Sequence, residues 1–214
     1  KNKELWWRMP DNYSFEDTHP DLFKVAEFVL LYPLEPEILK DWIPARTPGY
    51  RPGLAFSAGI DSTAAMELLP EQTVLLYHKR AGFSSKLDHS NALRFIDHLQ
   101  QEQNRRVIIV ESNHEIIREL YEERSPGFMT DYACAVHAIL LADHLSLDSI
   151  ATGMPLENSF LWHGQEFRNF GNSWFWKKHA PLFHSIGLEI LQPVMGCSEI
   201  VNQSIVKQAG YLGY

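Results

Sequence analysis

The sequence predicts an α/β protein with a doubly wound, mainly parallel sheet of about five strands, helices on both faces and a short N-terminal helical extension. From residue 53 onward, short apolar runs of strand length alternate with segments of helical periodicity. The runs end at turn signals such as Ser-Ala-Gly and Thr-Gly, as buried strands do. This alternation is typical of a parallel sheet covered by helices on both sides.

Each element is predicted from its own pattern. The predicted strands are residues 53–57, 73–78, 107–110, 148–153 and 188–191. The predicted helices are residues 60–69, 88–103, 114–123, 130–145 and 198–208, with Thr130 as the cap of the fourth. Right-handed crossovers place every strand-to-helix loop at the carboxyl edge of the sheet, where open α/β sheets bind ligands.

Residues 1–50 are predicted to form an extension and linker that precede a domain at residues 51–214. Residues 21–42 read as two short helical stretches that are interrupted at Pro33-Leu-Glu-Pro36. Residues 44–52 contain three prolines and Gly49, which indicates a connection. Trp6 and Trp7 are expected to anchor the extension.

Composition narrows the classes of partner. Lys and Arg number 19 against 27 Asp and Glu, a net charge of −8, so a nucleic-acid partner such as tRNA requires a local basic patch. Two cysteines form neither a disulfide framework nor a four-thiolate zinc site. Because no apolar run approaches the roughly 18–20 residues of a membrane span, we expect a cytoplasmic protein with no membrane partner.

The segment that carries the chemistry is the loop after the first predicted strand, residues 57–63, with the sequence SAGIDST. Small residues let the backbone approach a ligand, and Gly59 is expected to adopt positive φ at little cost. The loop opens a helix, whose free N–H groups and dipole attract anions. These properties predict a phosphate-binding turn. The alternative is that Asp61 or Ser62 merely caps the helix.

Two common nucleotide loops are excluded. The sequence contains no G-x-x-x-x-G-K-[ST], so the lysine that reaches the β and γ phosphates in P-loop enzymes is missing. It contains no G-x-G-x-x-G, so a dinucleotide-binding fold is unsupported. A phosphate cradle without that lysine indicates chemistry other than transfer of the γ-phosphoryl group.

The stretch Phe56-Ser-Ala-Gly-Ile-Asp-Ser-Thr63 resembles the S-G-G-x-D-S signature of the PP-loop, or N-type, ATP pyrophosphatases, which have the adenine nucleotide alpha hydrolase-like fold. Ile150-Ala-Thr-Gly153 resembles the fourth strand of this family and its glycine. Ile190-Leu-Gln-Pro-Val194, followed by Ser198-Glu-Ile-Val201, resembles the C-terminal proline and helix of the deazaguanine nitrile synthase branch of the queuosine pathway. The sequence departs from the family at two places. Ala58 replaces a glycine and must therefore keep a negative φ, and Gly196-Cys197 stands where the family often has a basic residue. The cysteine-rich zinc site of that branch is absent from this sequence.

The resemblance implies ATP-dependent adenylation of a small-molecule carboxylate or carbonyl, with release of pyrophosphate and subsequent attack by a nitrogen or sulfur nucleophile. ATP and Mg²⁺ are the implied cofactors. The nucleotide-binding residues would be Ser57, Ala58, Gly59, Ile60, Asp61, Ser62, Thr63, Tyr77, His78 and Gly153. Asp61, Ser57, Ser62 and Lys79 are the catalytic candidates, with Asp61 also the metal ligand. The alternatives are a tRNA-thiolating or amidating enzyme and an ATP-sensing module without turnover.

Other polar residues have a functional and a structural interpretation. Lys79 and Arg80 follow the second predicted strand and either stabilise the triphosphate or form a solvated surface pair. Glu111 and Glu157 follow the third and fourth strands and either serve the metal or substrate or cap loops. Cys134 is expected in the core, and Cys197 is a candidate reactive thiol.

The aromatic segment at residues 160–184 shows no clear periodicity. It is expected to form a lid or acceptor site, a homodimer contact, or a stacking surface for single-stranded RNA. Its three histidines, His163, His179 and His184, either bind metal or are ordinary loop residues.

Overall fold

The computed structural model describes residues 4–31, 37–81, 88–114, 116–117, 132–162 and 166–214. The strands in this part of the chain are β1 (Trp7–Arg8), β2 (Arg51–Phe56), β3 (Val74–Arg80), β4 (Val107–Ser112), β5 (Leu147–Thr152), β6 (Leu161–Trp162), β7 (Glu166–Phe167) and β8 (Glu189–Leu191). The α-helices are α1 (Pro20–Leu31), α2 (Ile60–Leu68), α3 (Ser90–Gln101), α4 (Val136–Leu140), α5 (Leu156–Phe160), α6 (Trp174–Ser185) and α7 (Glu199–Gln208).

The main sheet has six strands in the order β1-β4-β3-β2-β5-β8. β4, β3, β2, β5 and β8 are parallel, and β1 joins the outer edge of β4 in the antiparallel direction. The chain runs outward from β2 through β3 to β4 and then returns to continue from β5 to β8. The topological switch point therefore lies between β2 and β5. This confirms the predicted doubly wound α/β fold.

Apolar side chains cover both faces of the sheet. Along β3, Val74 and Leu76 belong to the core beneath α1, α4 and α6, and Leu75 and Tyr77 belong to the core beneath α2, α3 and α7. Alternate residues of a strand point to opposite faces, so a strand buried on both sides reads as a continuous apolar run. That pattern made the strands recognisable in the sequence.

Residues before 51 share the core of the rest of the chain. β1 is a strand of the main sheet, and the indole of Trp7 stacks on His114 with ring centroids 5.8 Å apart. α1 buries one side against the sheet through residues such as Leu22, Val25 and Val29. The second helical stretch predicted in residues 21–42 is wrong, because residues 37–41 form a turn.

Three other predicted elements differ in extent or lie outside the described residues. The helix predicted at residues 130–145 is shorter: a 3-10 turn at Tyr132–Ala135 leads into α4, and Ser146, at a φ of 55°, redirects the chain into β5. The helix predicted at 114–123 lies mostly outside the described residues, as does the cap predicted at Thr130. Among the described residues, no helix combines the length and the apolar character that a membrane crossing requires.

α6 lies within the aromatic segment, where no helix was predicted. Ser173 caps it by accepting a hydrogen bond from the Trp176 amide, as a serine N-cap does. Pro181 stands inside the helix, whose sequence is WFWKKHAPLFHS. An interior proline usually ends a helix, and three consecutive aromatic residues at the start hide the 3.6-residue period, so the helix was not recognisable from the pattern.

A buried arginine, Arg46, joins three segments of the fold near the start of β5. The guanidinium of Arg46, only 1% exposed, donates to Asp143 Oδ1 at 2.8 Å. It also donates to the carbonyls of Ile186 at 2.9 Å and Leu147 at 2.8 Å. The linker before β2 is thereby attached to the start of β5 and to the end of α6. A buried charge that is fully hydrogen-bonded in this way is costly to lose.

We expect Arg46→Met to lower the free energy of unfolding by about 3–5 kcal/mol, because the replacement leaves a carboxylate and buried carbonyls without their donor. Arg51→Met is the control, since Arg51 lies over the exposed ring of Tyr50 and should contribute less than about 1 kcal/mol. Urea unfolding of the variants measures both values. Equal effects at the two positions would contradict the structural role of Arg46.

Candidate nucleotide site

A cavity of about 430 Å³ opens at the carboxyl end of the sheet, at the switch point between β2 and β5. Its size is that of a small-molecule site. Eight of the predicted site residues line it: Ser57, Gly59, Ile60, Asp61, Ser62, Tyr77, His78 and Gly153. Other lining residues were not assigned to a site from the sequence, and they include His89, Tyr132, His137, Thr152 and Met154.

The turn between β2 and α2 is braced by its own hydroxyl groups. Ser62 Oγ accepts a hydrogen bond from the Ser57 amide at 3.2 Å and donates to the Gly59 carbonyl at 3.0 Å. The hydroxyls of Ser57 and Ser62 are 3.0 Å apart. Thr63 Oγ1 also donates to the Gly59 carbonyl, at 2.9 Å, so this buried hydroxyl stabilises the turn and does not line the cavity.

The start of α2 is left open. Its N-cap is Gly59, whose amide donates to Ser57 Oγ at 3.3 Å, and among the described residues no side chain accepts from the amides of residues 60–62. The alternative interpretation, in which Asp61 or Ser62 serves as the cap, is therefore wrong. The first amide groups of an α-helix have no acceptor within the helix, and the helix dipole adds partial positive charge at the same end. Residues 59–62 line the cavity, and amides at such a helix start are able to hold an anion.

The backbone conformation of the turn differs from the prediction at two residues. Gly59 has a φ of −85°, whereas the left-handed conformation falls on Ala58, with a φ of 61°. The expectation that Ala58 keeps a negative φ is therefore wrong. A non-glycine residue in this region costs roughly 1–2 kcal/mol, and such strain collects at ligand sites. The hydrogen bonds between the two serines hold the strained residue in place.

Gly153 permits the end of β5 to approach the turn. A Cβ atom on this glycine would lie 2.6 Å from the Ser62 amide nitrogen and 2.8 Å from Ser62 Cα. Both atoms belong to the backbone and cannot rotate away. Only glycine fits at this position, and the contact places β5 directly beside the first turn of α2.

Tyr77 and His89 form a hydrogen-bonded pair at the cavity, with 2.6 Å between the tyrosine oxygen and Nδ1. Burial raises the pKa of Tyr77, so its hydroxyl keeps its proton at neutral pH. The other ring nitrogen of His89, Nε2, is buried and has no hydrogen-bond partner in the described part of the chain. It is a polar atom at the cavity that a ligand can engage.

Three further histidines pack together beneath the cavity. The ring of His78 stacks on His114, with centroids 4.3 Å apart, and its centroid is 5.5 Å from that of His137. Burial lowers the pKa of His78 to about 4 and the pKa of His137 to about 3. Burial also lowers the pKa of His114 well below its usual value. The cluster is neutral at physiological pH and adds no positive charge to the cavity.

The charged residues at the ends of the strands differ in whether they line the cavity. Arg80 lines the cavity, whereas Lys79 lies beside Glu111 with Nζ and Oε2 3.5 Å apart and does not line it. Glu111 also accepts a hydrogen bond from Arg8 at 3.0 Å. The Glu157 carboxylate accepts from the Glu199 amide at 3.2 Å and so caps α7. Glu111 and Glu157 are thus engaged in structural contacts.

The aromatic segment forms the β6–β7 hairpin and α6, and from it Phe175 lines the cavity. Cys134, expected in the core, is half-buried at the cavity wall, and Cys197 is half-buried between β8 and α7. His179 is buried in α6 and His184 is exposed beside Glu189. His163 lies outside the described residues, among which no cluster able to hold a metal ion is found.

Asn202, on α7, also belongs to this site. Its side-chain amide donates to Asp61 Oδ1 at 2.8 Å, although the two residues are 141 positions apart in the chain. No pattern in a single sequence indicates such a pair, because α7 reads only as an amphipathic helix.

Comparison with known proteins adds one structural likeness. No family model and no curated protein matches the chain. Among solved structures, it is similar to the U34-tRNA thiolase NcsA from Methanococcus maripaludis with its 4Fe-4S cluster. The TM-score is 0.49 and the identity 14%, over 94% of this chain and 67% of that chain. A likeness of this size does not identify a function.

We expect Gly153→Ala to destabilise the protein by about 1–3 kcal/mol, the range for overpacking, because the added methyl group meets backbone. Gly196→Ala is the matched control, since a Cβ there meets nothing within 4 Å. Urea unfolding compares the two. Similar stability of both variants would contradict the close approach of β5 to the turn.

We also expect the protein to lose stability as the pH falls from about 6.5 to 4. His78, His137 and His179 have pKa values lowered by burial to about 4, 3 and 4, so in this range the unfolded chain binds more protons than the folded one. The loss is on the order of 2 kcal/mol per histidine at pH 5. Urea unfolding at several pH values measures the slope, to which His114 also contributes, and His137→Gln should reduce it by roughly a quarter. His184→Gln, at an exposed position, is the control, and an unchanged slope in His137→Gln would contradict the assignment.

Proposed function

We propose that the chain binds ATP in this cavity and adenylates a small-molecule carboxylate or carbonyl with release of pyrophosphate. The observation that supports this most directly is the uncapped start of α2, held open by a turn whose serines brace one another. The turn lies at the switch point of an open parallel sheet, where such folds bind nucleotides. The resemblance to the S-G-G-x-D-S signature supports the same reading.

The β and γ phosphates would lie against the amides of residues 60–62. In the reaction, a substrate oxygen attacks the α phosphorus and the bond to the bridging oxygen breaks, so that pyrophosphate leaves with the electron pair. Amide donors fixed in place stabilise the charge that develops on this leaving group. A nitrogen or sulfur nucleophile then displaces AMP from the adenylate.

The residues at the turn also fit a divalent cation. Asp61 and Asp88 are the carboxylates among the described residues that line the cavity, and a carboxylate oxygen of Asp61 is the kind of hard ligand that Mg²⁺ takes. When bound there, Mg²⁺ would supply neutralisation of the phosphate charge. Arg80 also lines the cavity, and its guanidinium would add positive charge near the phosphates.

The remaining wall suits the nucleoside and the acceptor. Tyr77 and His78 lie near the end of β3, where the resemblance implies adenosine, and His89 presents its buried Nε2 to a polar atom of the ligand. Tyr132, Met154 and Phe175 form an apolar wall that favours a small, flat acceptor. We therefore propose a small metabolite as the acceptor; a tRNA acceptor and a homodimer through residues 160–184 stay predictions.

A second candidate function is ATP binding without turnover. It is favoured by the position of Lys79, which lies beside Glu111 and outside the cavity lining. A sensing module needs the phosphate cradle and not a full set of catalytic charges. The two functions differ in one measurable respect, the release of pyrophosphate.

The test is incubation of the protein with ATP, Mg²⁺ and a panel of candidate carboxylates, with mass spectrometry and a pyrophosphate assay. AMP with pyrophosphate supports adenylation, and ADP would contradict it. Calorimetric binding of ATP with neither product would favour the second candidate. Neither binding nor products would contradict both.

We expect Ser57→Ala and Asp61→Asn each to reduce the rate of pyrophosphate release by about 100-fold or more, as the loss of an electrostatic catalytic group does. Ser204→Ala, an exposed position on α7, is the control and should leave the rate unchanged. Urea unfolding establishes that the variants remain folded. Undiminished rates in both loop variants would remove the turn from the mechanism.

A further inference from the structure

We propose that Asn202 is a positioning residue for Asp61: its side-chain amide determines which carboxylate oxygen of Asp61 faces the bound phosphates and metal. The inference rests on the proposed function. Asp61 belongs to the first turn of α2 and lines the cavity. Asn202 lies on α7, which packs against α2, and its side chain is fully buried. Nothing in the loop itself holds the carboxylate of Asp61 in this way.

The chemistry of the two side chains fixes the orientation of the amide. A carboxylate only accepts hydrogen bonds, so Nδ2 of Asn202 faces Asp61 and Oδ1 of the amide points elsewhere. The torsion that turns a carboxylate group is soft and nearly two-fold. A donor 2.8 Å from Asp61 Oδ1 selects one orientation of the group and leaves Oδ2 as the oxygen available to a ligand.

The start of α7, which precedes Asn202, is held by two side chains. The Ser198 side chain caps α7 by accepting from the Val201 amide, and the Glu157 carboxylate accepts from the Glu199 amide. Glu157 lies on α5, shortly after Gly153, where β5 meets the turn. The segment that follows β5 therefore contacts the first turn of α7, and the end of β5 contacts the loop before α2. Asn202 lies directly after this first turn of α7.

The buried amide does not have the properties of a stabilising contact. Asn202 Oδ1 is buried and has no hydrogen-bond partner among the described residues, and apolar side chains such as Val206 pack nearby on the same helix. A buried amide with an unpaired oxygen is less favourable than an apolar side chain of the same size. Asp61 is only half-buried, so its carboxylate can be hydrated without Asn202. Stability therefore does not account for this residue, whereas orientation of Asp61 does.

The test uses two replacements of Asn202 and one matched control. Asn202→Leu keeps the size of the side chain and removes the donor. Asn202→Asp keeps the shape but presents an acceptor to Asp61, so it can donate only when its carboxyl group is protonated. Gln203→Leu changes the next residue of α7, which is exposed, and should behave as the wild type.

We expect Asn202→Leu to weaken calorimetric binding of Mg²⁺–ATP about tenfold, because the Asp61 carboxylate must then be oriented at the expense of binding; loss of an outer partner of a metal ligand costs about 10–100-fold in metal affinity. The Mg²⁺ concentration for half-maximal pyrophosphate release should rise by a similar factor, while the urea midpoint stays unchanged or increases. Asn202→Asp, which presents an acceptor to Asp61, should weaken the binding at least as much as Asn202→Leu.

Each outcome separates this inference from the proposed function. A wild-type protein that releases no pyrophosphate overturns the proposed function, and the inference with it. An active wild type and an Asn202→Leu variant with unchanged Mg²⁺–ATP affinity would overturn the inference alone. A loss of affinity that parallels a loss of stability would assign Asn202 a structural role and overturn it as well.

Discussion

The structure of the site depends on one close approach, that of the end of β5 to the first turn of α2. Gly153 brings the β5 backbone so near to Ser62 that no side chain can stand between them. The contact exists because β2 and β5 are neighbours at the switch point, with the chain leaving them in opposite directions. The loops that follow β2 and β5 therefore lie side by side at the carboxyl edge of the sheet, and the start of α2 lies at the cavity between them.

The turn between β2 and α2 contains one strained residue and is stabilised by the hydrogen bonds of its serines. Ala58 has a φ of 61°, a conformation that L-residues avoid, while Ser57 and Ser62 join the two ends of the turn through their hydroxyls. If the serine hydroxyls had capped α2, its amides would be occupied. They instead bond to each other and to the Gly59 amide and carbonyl, so that among the described residues no side chain accepts from the amides of residues 60–62. The serines of this loop thus also leave the start of α2 open.

The sequence predicted the sheet and the loop because both depend on local pattern. The buried strands read as apolar runs, and SAGIDST follows the first of the parallel strands. What the sequence could not predict depends on contacts between residues that are distant in the chain. Asn202 and Asp61 are 141 residues apart, and β1 pairs with β4, whose residues lie more than 100 positions further along the chain. The conformation of Ala58 was predicted wrongly because the choice between residues 58 and 59 is made by the serine hydrogen bonds, not by glycine preference alone.

The electrostatics of the cavity come from fixed groups. His78, His114 and His137 are held neutral by burial, so the imidazoles supply hydrogen-bonding atoms and aromatic surface and no charge. Positive potential comes instead from the start of α2 and from Arg80, which lines the cavity. Because the net charge of the protein is −8, an anion gains little from the charge of the whole surface. A small phosphate ester would therefore depend on these local groups, which it reaches once it enters the cavity.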